Sequence, residues 1–268
     1  MARGLTGVQH IVAVASGKGG VGKTTVTVHL ALALAAIGQR VAIFDADIYG
    51  PNVPLMLGVR RSGSAPGLLP IMRVQREPYI PALERFGVKM MSLGLLVGER
   101  DAVMPDPHDA GRIVTQTLGD VRWGELDILL VDLPPGTGEP QHSLMRTYTV
   151  DGVVLVTTPQ DMSLLDVGRS LSMFQQAGIP ILGLVENMSY ALCPRCGEQI
   201  ELFARSARQW PVQEQAPELL GRLPITPDMG RPIDAEHPLV QATAETPEAT
   251  SFKAIAARIV ERLAAPGA

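Results

Sequence analysis

Six apolar runs punctuate the chain: His10 to Ala15, Arg40 to Asp45, Val88 to Leu93, Asp127 to Asp132, Gly152 to Thr158 and Pro180 to Glu186. Segments with helical spacing lie between them. That alternation predicts a mostly parallel sheet with helices on both faces, a three-layer α/β architecture. The first helix is predicted from Lys23 to Ile37, with Val26, Leu30, Ala33 and Leu34 facing inward and Gly38 just past its end. Another is predicted from about Asp109 to Asp120. The stretch from Arg60 to Pro81 mixes Gly, Ser, Pro and Arg without a helical period and reads as a surface insertion. Met104-Pro105-Asp106-Pro107 reads as an irregular turn, and Arg205 to Glu218 carries no clear period. One doubly wound domain over residues 8–264, with short termini at 1–7 and 265–268, is the simplest organisation.

Composition narrows the function classes. The 268 residues are 46% hydrophobic and 19% charged, which suits a globular core and excludes a disordered chain. The net charge is −4, so no overall positive field favours nucleic acid or an anionic membrane, and any anion site must be local. Apolar runs such as Leu30 to Ile37 fall far short of the roughly 18 residues that span a bilayer. No signal-peptide core precedes the first motif, so the expected location is cytoplasmic.

That local anion site is written in Gly17-Lys18-Gly19-Gly20-Val21-Gly22-Lys23-Thr24, a G-x-x-x-x-G-K-S/T match that follows a predicted strand and opens a predicted helix. Glycines let backbone N–H groups turn around phosphate oxygens, the helix dipole favours negative charge, and Lys23 adds a mobile cation. Thr24 offers a hydroxyl to Mg²⁺, and Thr25 completes the nucleotide-binding run. The fold class that follows is a P-loop NTPase. Only Lys18, Lys23, Lys89 and Lys253 are lysines, and two of these share the loop. Lys18 is either a solvated charge or a second phosphate cation. It sits too early in the loop to fold back easily over its own γ-phosphate, so the second role points to the nucleotide of a neighbouring subunit.

Carboxylates complete the candidate site. Val41 to Asp45 ends a strand with an acid, and Asp47 falls on the same side at a period of two. Ile128 to Asp132 has the form of a Walker B strand, followed by Leu133-Pro134-Pro135-Gly136-Thr137-Gly138, in which Gly136 is placed to offer an N–H to a γ-phosphate. The expected roles are Asp47 orienting the attacking water and Asp45 and Asp132 in the metal shell, with Lys18 and Lys23 stabilising charge.

Cys193 and Cys196 are the chain's two cysteines, separated by Pro194-Arg195. Structural zinc takes four ligands, and neither a second pair nor a nearby histidine is present. One chain therefore supplies half a site. Two copies about a two-fold axis would supply four thiolates, which suits a 4Fe-4S cluster or a shared zinc ion. A redox dithiol and inert cysteines are the remaining readings.

Taken together, these motifs resemble the Mrp/ApbC family of iron-sulfur cluster carriers, within the deviant Walker A class that includes MinD, ParA and the nitrogenase iron protein. The resemblance runs from about Gly7 to Arg222. It rests on Ser16 to Thr24, Asp45-Ala46-Asp47-Ile48-Tyr49-Gly50-Pro51, Asp132 to Gly138, Thr157-Thr158-Pro159-Gln160, and Glu186-Asn187-Met188-Ser189-Tyr190 leading to the cysteines. It implies a homodimer that bridges a 4Fe-4S cluster through Cys193 and Cys196, passes it to apo iron-sulfur proteins, and binds and slowly hydrolyses ATP with Mg²⁺. It also implies that Lys18 reaches across the dimer and that Asn187 reads the adenine. The chain departs from the family at Met104 to Pro107, at Ala204 to Arg208 and at Ile225-Thr226-Pro227.

The rival reading is a MinD/ParA-like positioning ATPase acting on a membrane or DNA. Its membrane form needs a lipid-binding helix, for which Phe252, Ile255, Ile259 and Leu263 beside Lys253, Arg258 and Arg262 are the candidates. Packing of that helix into the core is the favoured expectation, so neither a membrane nor nucleic acid is expected as a partner. An NTP-dependent ligase or kinase would need a second small-molecule pocket, for which no residues stand out.

Overall fold

The computed structural model describes residues 4–59, 72–74, 77–96, 105–193, 195–203, 216–226, 229 and 246–265. The central strands are β1 (Val8–Ser16), β2 (Val41–Asp45) and β8 (Leu126–Asp132), found where the apolar runs predict them. They are joined by β5 (Leu83–Arg85), β6 (Val88–Ser92), β9 (Gly152–Thr157), β10 (Ile181–Leu192), β11 (Gln199–Ile200) and β12 (Leu219–Pro224). The sheet runs β11-β10-β9-β1-β8-β2-β6-β5, with β12 on β10. Among the described residues of this sheet, the β5–β6 and β10–β11 pairings are antiparallel and the others parallel.

Helices α1 (Lys23–Ala36) and α6 (Pro247–Ala264) pack together on the sheet. Of the remaining helices, α2 (Val53–Met56) is a single turn beside α1 and β6, α3 (Pro107–Asp120) packs on α4 (Glu139–Thr147), and α5 (Asp161–Gln176) covers β9 and β1. α1 departs from the expected one-sided helix, being buried on almost every side from Val26 to Leu34. The sheet takes one side and α6 another, where the Phe252 ring lies tilted against His29 with centroids 5.3 Å apart. Burial pushes the His29 imidazole down to about 4.

The C-terminal helix is a core element. Phe252, Ile255 and Ile259 are fully buried, and the side chain of Ile255 fills the space that a Cβ on Gly221 would need. Two of its basic residues are tied to the chain's own backbone: Arg258, although exposed, donates to the carbonyls of Leu219 and Leu220, and Arg262 donates to that of Leu182 and pairs with Glu218. An interfacial lipid-binding role would require all of these contacts to be given up. Among the described residues, no helix is long and apolar enough to cross a membrane.

Two irregular regions have local explanations. In the expected insertion, the described residues form β3 (Met72–Val74) and β4 (Glu77–Pro81), which make a small separate sheet with β7 (Val121–Arg122). The described end of the Met104–Pro107 turn is a helix start, where Asp106 accepts from the Asp109 N–H at 2.9 Å and Pro107 opens α3. Residues 204–215, which include most of the region without a clear period, lie outside the described residues.

The topology places the chemistry at the carboxyl ends of the central strands. β1, β8 and β2 are parallel neighbours, with Val14 opposite Asp132 and Asp132 opposite Asp45. Chain order reverses at β1, whose neighbours β8 and β9 lead away to opposite sides of the sheet. Ligands bind in such sheets beyond the carboxyl ends of the strands at the reversal.

Candidate functional site

The loop from β1 to α1 is shaped for close approach. Gly20 and Gly22 have φ of 83° and 79°, in the left-handed region that favours glycine. A Cβ on Gly17 would lie 2.2 Å from the backbone carbon of Asp166 on α5, and one on Gly22 would lie 2.3 Å from Asn187 Nδ2. Gly22 caps α1 without a side-chain hydrogen bond, and the first turn holds no acidic residue. The first N–H groups of α1 therefore have no side-chain acceptor at the cap and carry the positive end of the helix dipole, which fits a phosphate. Lys18 is half-buried, and its carbonyl accepts from Ser16 Oγ at 3.0 Å.

At the centre lies Asp132, fully buried at the end of β8. Its Oδ1 is 2.8 Å from Lys23 Nζ and accepts from Thr27 Oγ1 at 2.7 Å, while its Oδ2 accepts from Thr24 Oγ1 at 2.8 Å. A buried carboxylate is thus paired with one cation and two hydroxyls. Thr24 and Asp132 form the hard oxygen pair expected of a Mg²⁺ shell. Thr27, which the motif does not include, is one helical turn beyond Lys23, and that spacing is the signal that identifies it.

Asp45 is also fully buried. Its Oδ2 accepts from Ser92 Oγ at 2.9 Å and from the Val53 N–H at 3.2 Å, and its Oδ1 accepts from the Asp47 N–H at 3.2 Å. Burial first, then the neighbouring Asp132 carboxylate, push Asp45 up to about 8. In this arrangement it braces the turn after β2, so a place in the metal shell requires these donors to let go. Asp47 is half-buried and accepts from the Gly50 N–H at 3.2 Å, and burial raises its carboxyl above the ordinary value.

Two expected contacts are already engaged within the chain. The Gly136 N–H donates to Ser16 O at 2.9 Å, so offering it to a phosphate means opening that bond. Gln141 Nε2 holds the same loop through Pro134 O and Gly136 O. Asn187 is buried against the phosphate loop, where its Nδ2 donates to Val21 O at 2.8 Å, leaving Oδ1 without a hydrogen bond.

The cysteines sit in a turn between β10 and β11, with Leu192 opposite Gln199. Both are free; Cys193 is half-buried and Cys196 exposed. Backbone N–H groups of Arg195 and Cys196, then the Cys196 thiol, hold the Cys193 thiol below its ordinary value. Gly197, at φ 73°, closes the turn, with its N–H donating to Cys193 O at 2.8 Å. Such a turn favours the thiolate that binds metal. Among the described residues, no group of three or more His, Cys, Asp or Glu side chains is arranged to hold a metal ion.

Comparison with known proteins agrees with this geometry. A family profile described as "ParA: NUBPL iron-transfer P-loop NTPase" matches residues 7–260. An iron-sulfur cluster carrier protein of Methanocaldococcus jannaschii is 40% identical over 259 residues, covering 96% of this chain and 86% of its own. A protein of the same name from Deinococcus radiodurans is 42% identical over 255 residues, covering 94% of this chain and 69% of its own. Among solved structures, a nucleotide-binding protein from Archaeoglobus fulgidus in complex with ADP superposes with a TM-score of 0.68 at 35% identity, over 83% of this chain and 84% of its own. The septum site-determining protein MinD of Pyrococcus horikoshii, complexed with Mg-ADP, has a TM-score of 0.64 at 24% identity, over 96% and 98%, and so shares the fold.

Proposed function

Because the chain belongs to the ParA family of iron-transfer P-loop NTPases, we propose that it is an iron-sulfur cluster carrier that works as a homodimer. Each copy contributes Cys193 and Cys196 to one bridging 4Fe-4S cluster, which is passed to apo iron-sulfur proteins. Residues 8–264 act as one ATPase domain that binds and hydrolyses Mg·ATP. The observation that carries this reading is the cysteine turn: two thiols, one of them favoured as thiolate by backbone N–H groups, with no third ligand from the described part of the chain. Exposed Ile200, Leu202 and Ile225 accompany the turn, on segments bonded to or following its two strands, and give a second copy an apolar surface to cover.

In the nucleotide site, residues 17–25 hold the phosphates and Lys23 exchanges Asp132 for phosphate oxygens. Thr24 and Asp132 would hold Mg²⁺, with Asp45 joining them where its own donors release it, and the ion would supply charge neutralisation at the phosphates. Asp47 orients the attacking water, Gly136 stabilises the γ-phosphate once its bond to Ser16 opens, Asn187 meets the adenine, and Lys18 serves the neighbouring copy's nucleotide.

Anaerobic reconstitution with iron and sulfide tests the assignment. The wild type should hold about four irons per dimer, and Cys193→Ala or Cys196→Ala near none, in keeping with thiolate ligation. Full retention in both variants would reject it.

A further inference from the structure

β10 carries the nucleotide loop's neighbour in its middle and the cysteine turn at its end. Asn187 donates to Val21 O at 2.8 Å and lies so close to Gly22 that a Cβ there would meet its Nδ2 at 2.3 Å. The next residue, Met188, has φ 54°, a left-handed conformation that a non-glycine residue keeps only where its surroundings impose it. Pairing with β12 is irregular between Glu186 and Tyr190, as expected of a bulge. Ser189 Oγ closes the bulge, 2.9 Å from Glu186 O and 2.7 Å from Glu186 Oε1, and Arg222 of β12 holds the same carboxylate at 3.4 Å.

Past the bulge the strand is tied into the hairpin. Tyr190 O accepts from the Ile225 N–H at 2.7 Å, and Ala191 and Leu192 pair with Ile200 and Gln199. Only Met188 to Leu192 separate Asn187 from Cys193. The segment is short, and from Tyr190 onward it is paired with β12 and β11, so a displacement of the bulge is carried to the cysteine turn.

We propose that the bulge at Glu186–Ser189 couples the nucleotide loop to the cysteine turn, so that occupation of residues 17–25 by nucleotide phosphates changes the reactivity of Cys193. This rests on the nucleotide-binding part of the function proposed above and needs no cluster. Asn187 senses the position of Val21 and Gly22, and the bulge, held by Ser189 and Glu186, converts that position into the setting of the strand beyond it. Met188 and Ser189 act as positioning residues. Where nucleotide changes the affinity of the thiols for a bound group, that group changes nucleotide affinity by the same factor, a reciprocity that holds for binding and not for the alkylation rate.

The test measures the alkylation rate of Cys193 by iodoacetamide, resolved from Cys196 by peptide mass, with and without saturating Mg·ADP. Nucleotide binding is followed in parallel by calorimetry. In the wild type, Mg·ADP should change the rate at least threefold, equally at two chain concentrations tenfold apart. Met188→Gly, which lets the backbone absorb the displacement, and Ser189→Ala should reduce that change below about 1.5-fold while binding Mg·ADP within threefold of wild type. Ser189→Thr should restore it. Bound Mg·ADP without a rate change, variants that keep the full change, or an effect that grows with chain concentration would overturn the coupling alone. Failure of the wild type to bind Mg·ADP would overturn the nucleotide reading and the coupling with it.

Discussion

Lys23 Nζ lies 2.8 Å from Asp132 Oδ1, both groups almost wholly withdrawn from solvent, so the cation of the phosphate loop is held by the acid that ends β8. The same carboxylate accepts from Thr24 and Thr27, which fixes the first turn of α1 against the sheet edge. Lys23→Ala leaves that charge buried with two neutral donors. It should cost about 3–5 kcal/mol in urea unfolding, the usual penalty for breaking a buried pair from one side. Lys23→Ala with Asp132→Asn should recover most of the loss, while ATP turnover stays abolished in both. Equal stability of the single and double variants would count against the pairing.

Asp45 gives the site a pH signature. Its folded value of about 8 lies above that of a carboxyl in the unfolded chain, so the folded state binds the extra proton. Its contribution to stability is fully present in acid and is lost as pH rises from about 4 to about 8. Relative to Asp45→Asn, the wild type should lose more than about 1 kcal/mol between about pH 5 and pH 8, since each tenfold difference in proton affinity between the folded and unfolded chain is worth about 1.4 kcal/mol. Parallel stability profiles would show that Asp45 is ionised when folded.

His29 runs the other way. Its folded value of about 4 lies below the ordinary 6.5, so its neutral form supports the fold above about 6.5 and that support is lost as pH falls towards 4. Thermal unfolding at about pH 5 should show the wild type losing roughly 2 kcal/mol more than His29→Phe, relative to about pH 7. Equal losses would mean that the imidazole gains a proton without cost.

Gly17 packs directly on the α5 backbone, with Asp166 and Val167 atoms 2.2 to 2.4 Å from any added Cβ. Gly17→Ala must therefore move the loop, and Mg·ADP affinity should fall tenfold or more, about 1.4 kcal/mol. Gly168→Ala is the control on the same helix: nothing lies within 4 Å of its added Cβ, and affinity should be unchanged. Equal affinity in both variants would show that the loop tolerates the shift.

The parts of this arrangement legible in the sequence are those encoded locally. The loop from Gly17 to Thr24 declares itself because its chemistry and its neighbours in the chain coincide, and the strands ending at Asp45 and Asp132 follow from uninterrupted apolar runs. α1 was legible as a helix, but not as one buried on nearly every side, because its cover is Phe252 and its neighbours on α6, far along the chain. β10 outruns its expected end at Glu186 by six residues, since Asn187 and Ser189 are polar yet satisfied by Val21 O and Glu186. β12 and β11 carry too little apolar pattern to be seen, and exist as strands because β10 offers them an edge. The left-handed Met188 has no sequence signature at all.

Native mass spectrometry of the anaerobically reconstituted protein most directly tests the claim that two chains share one cluster. The account predicts a single species with the mass of two chains plus one set of four irons and four sulfides. A single chain carrying the cluster, or a dimer carrying one cluster per chain, would contradict it.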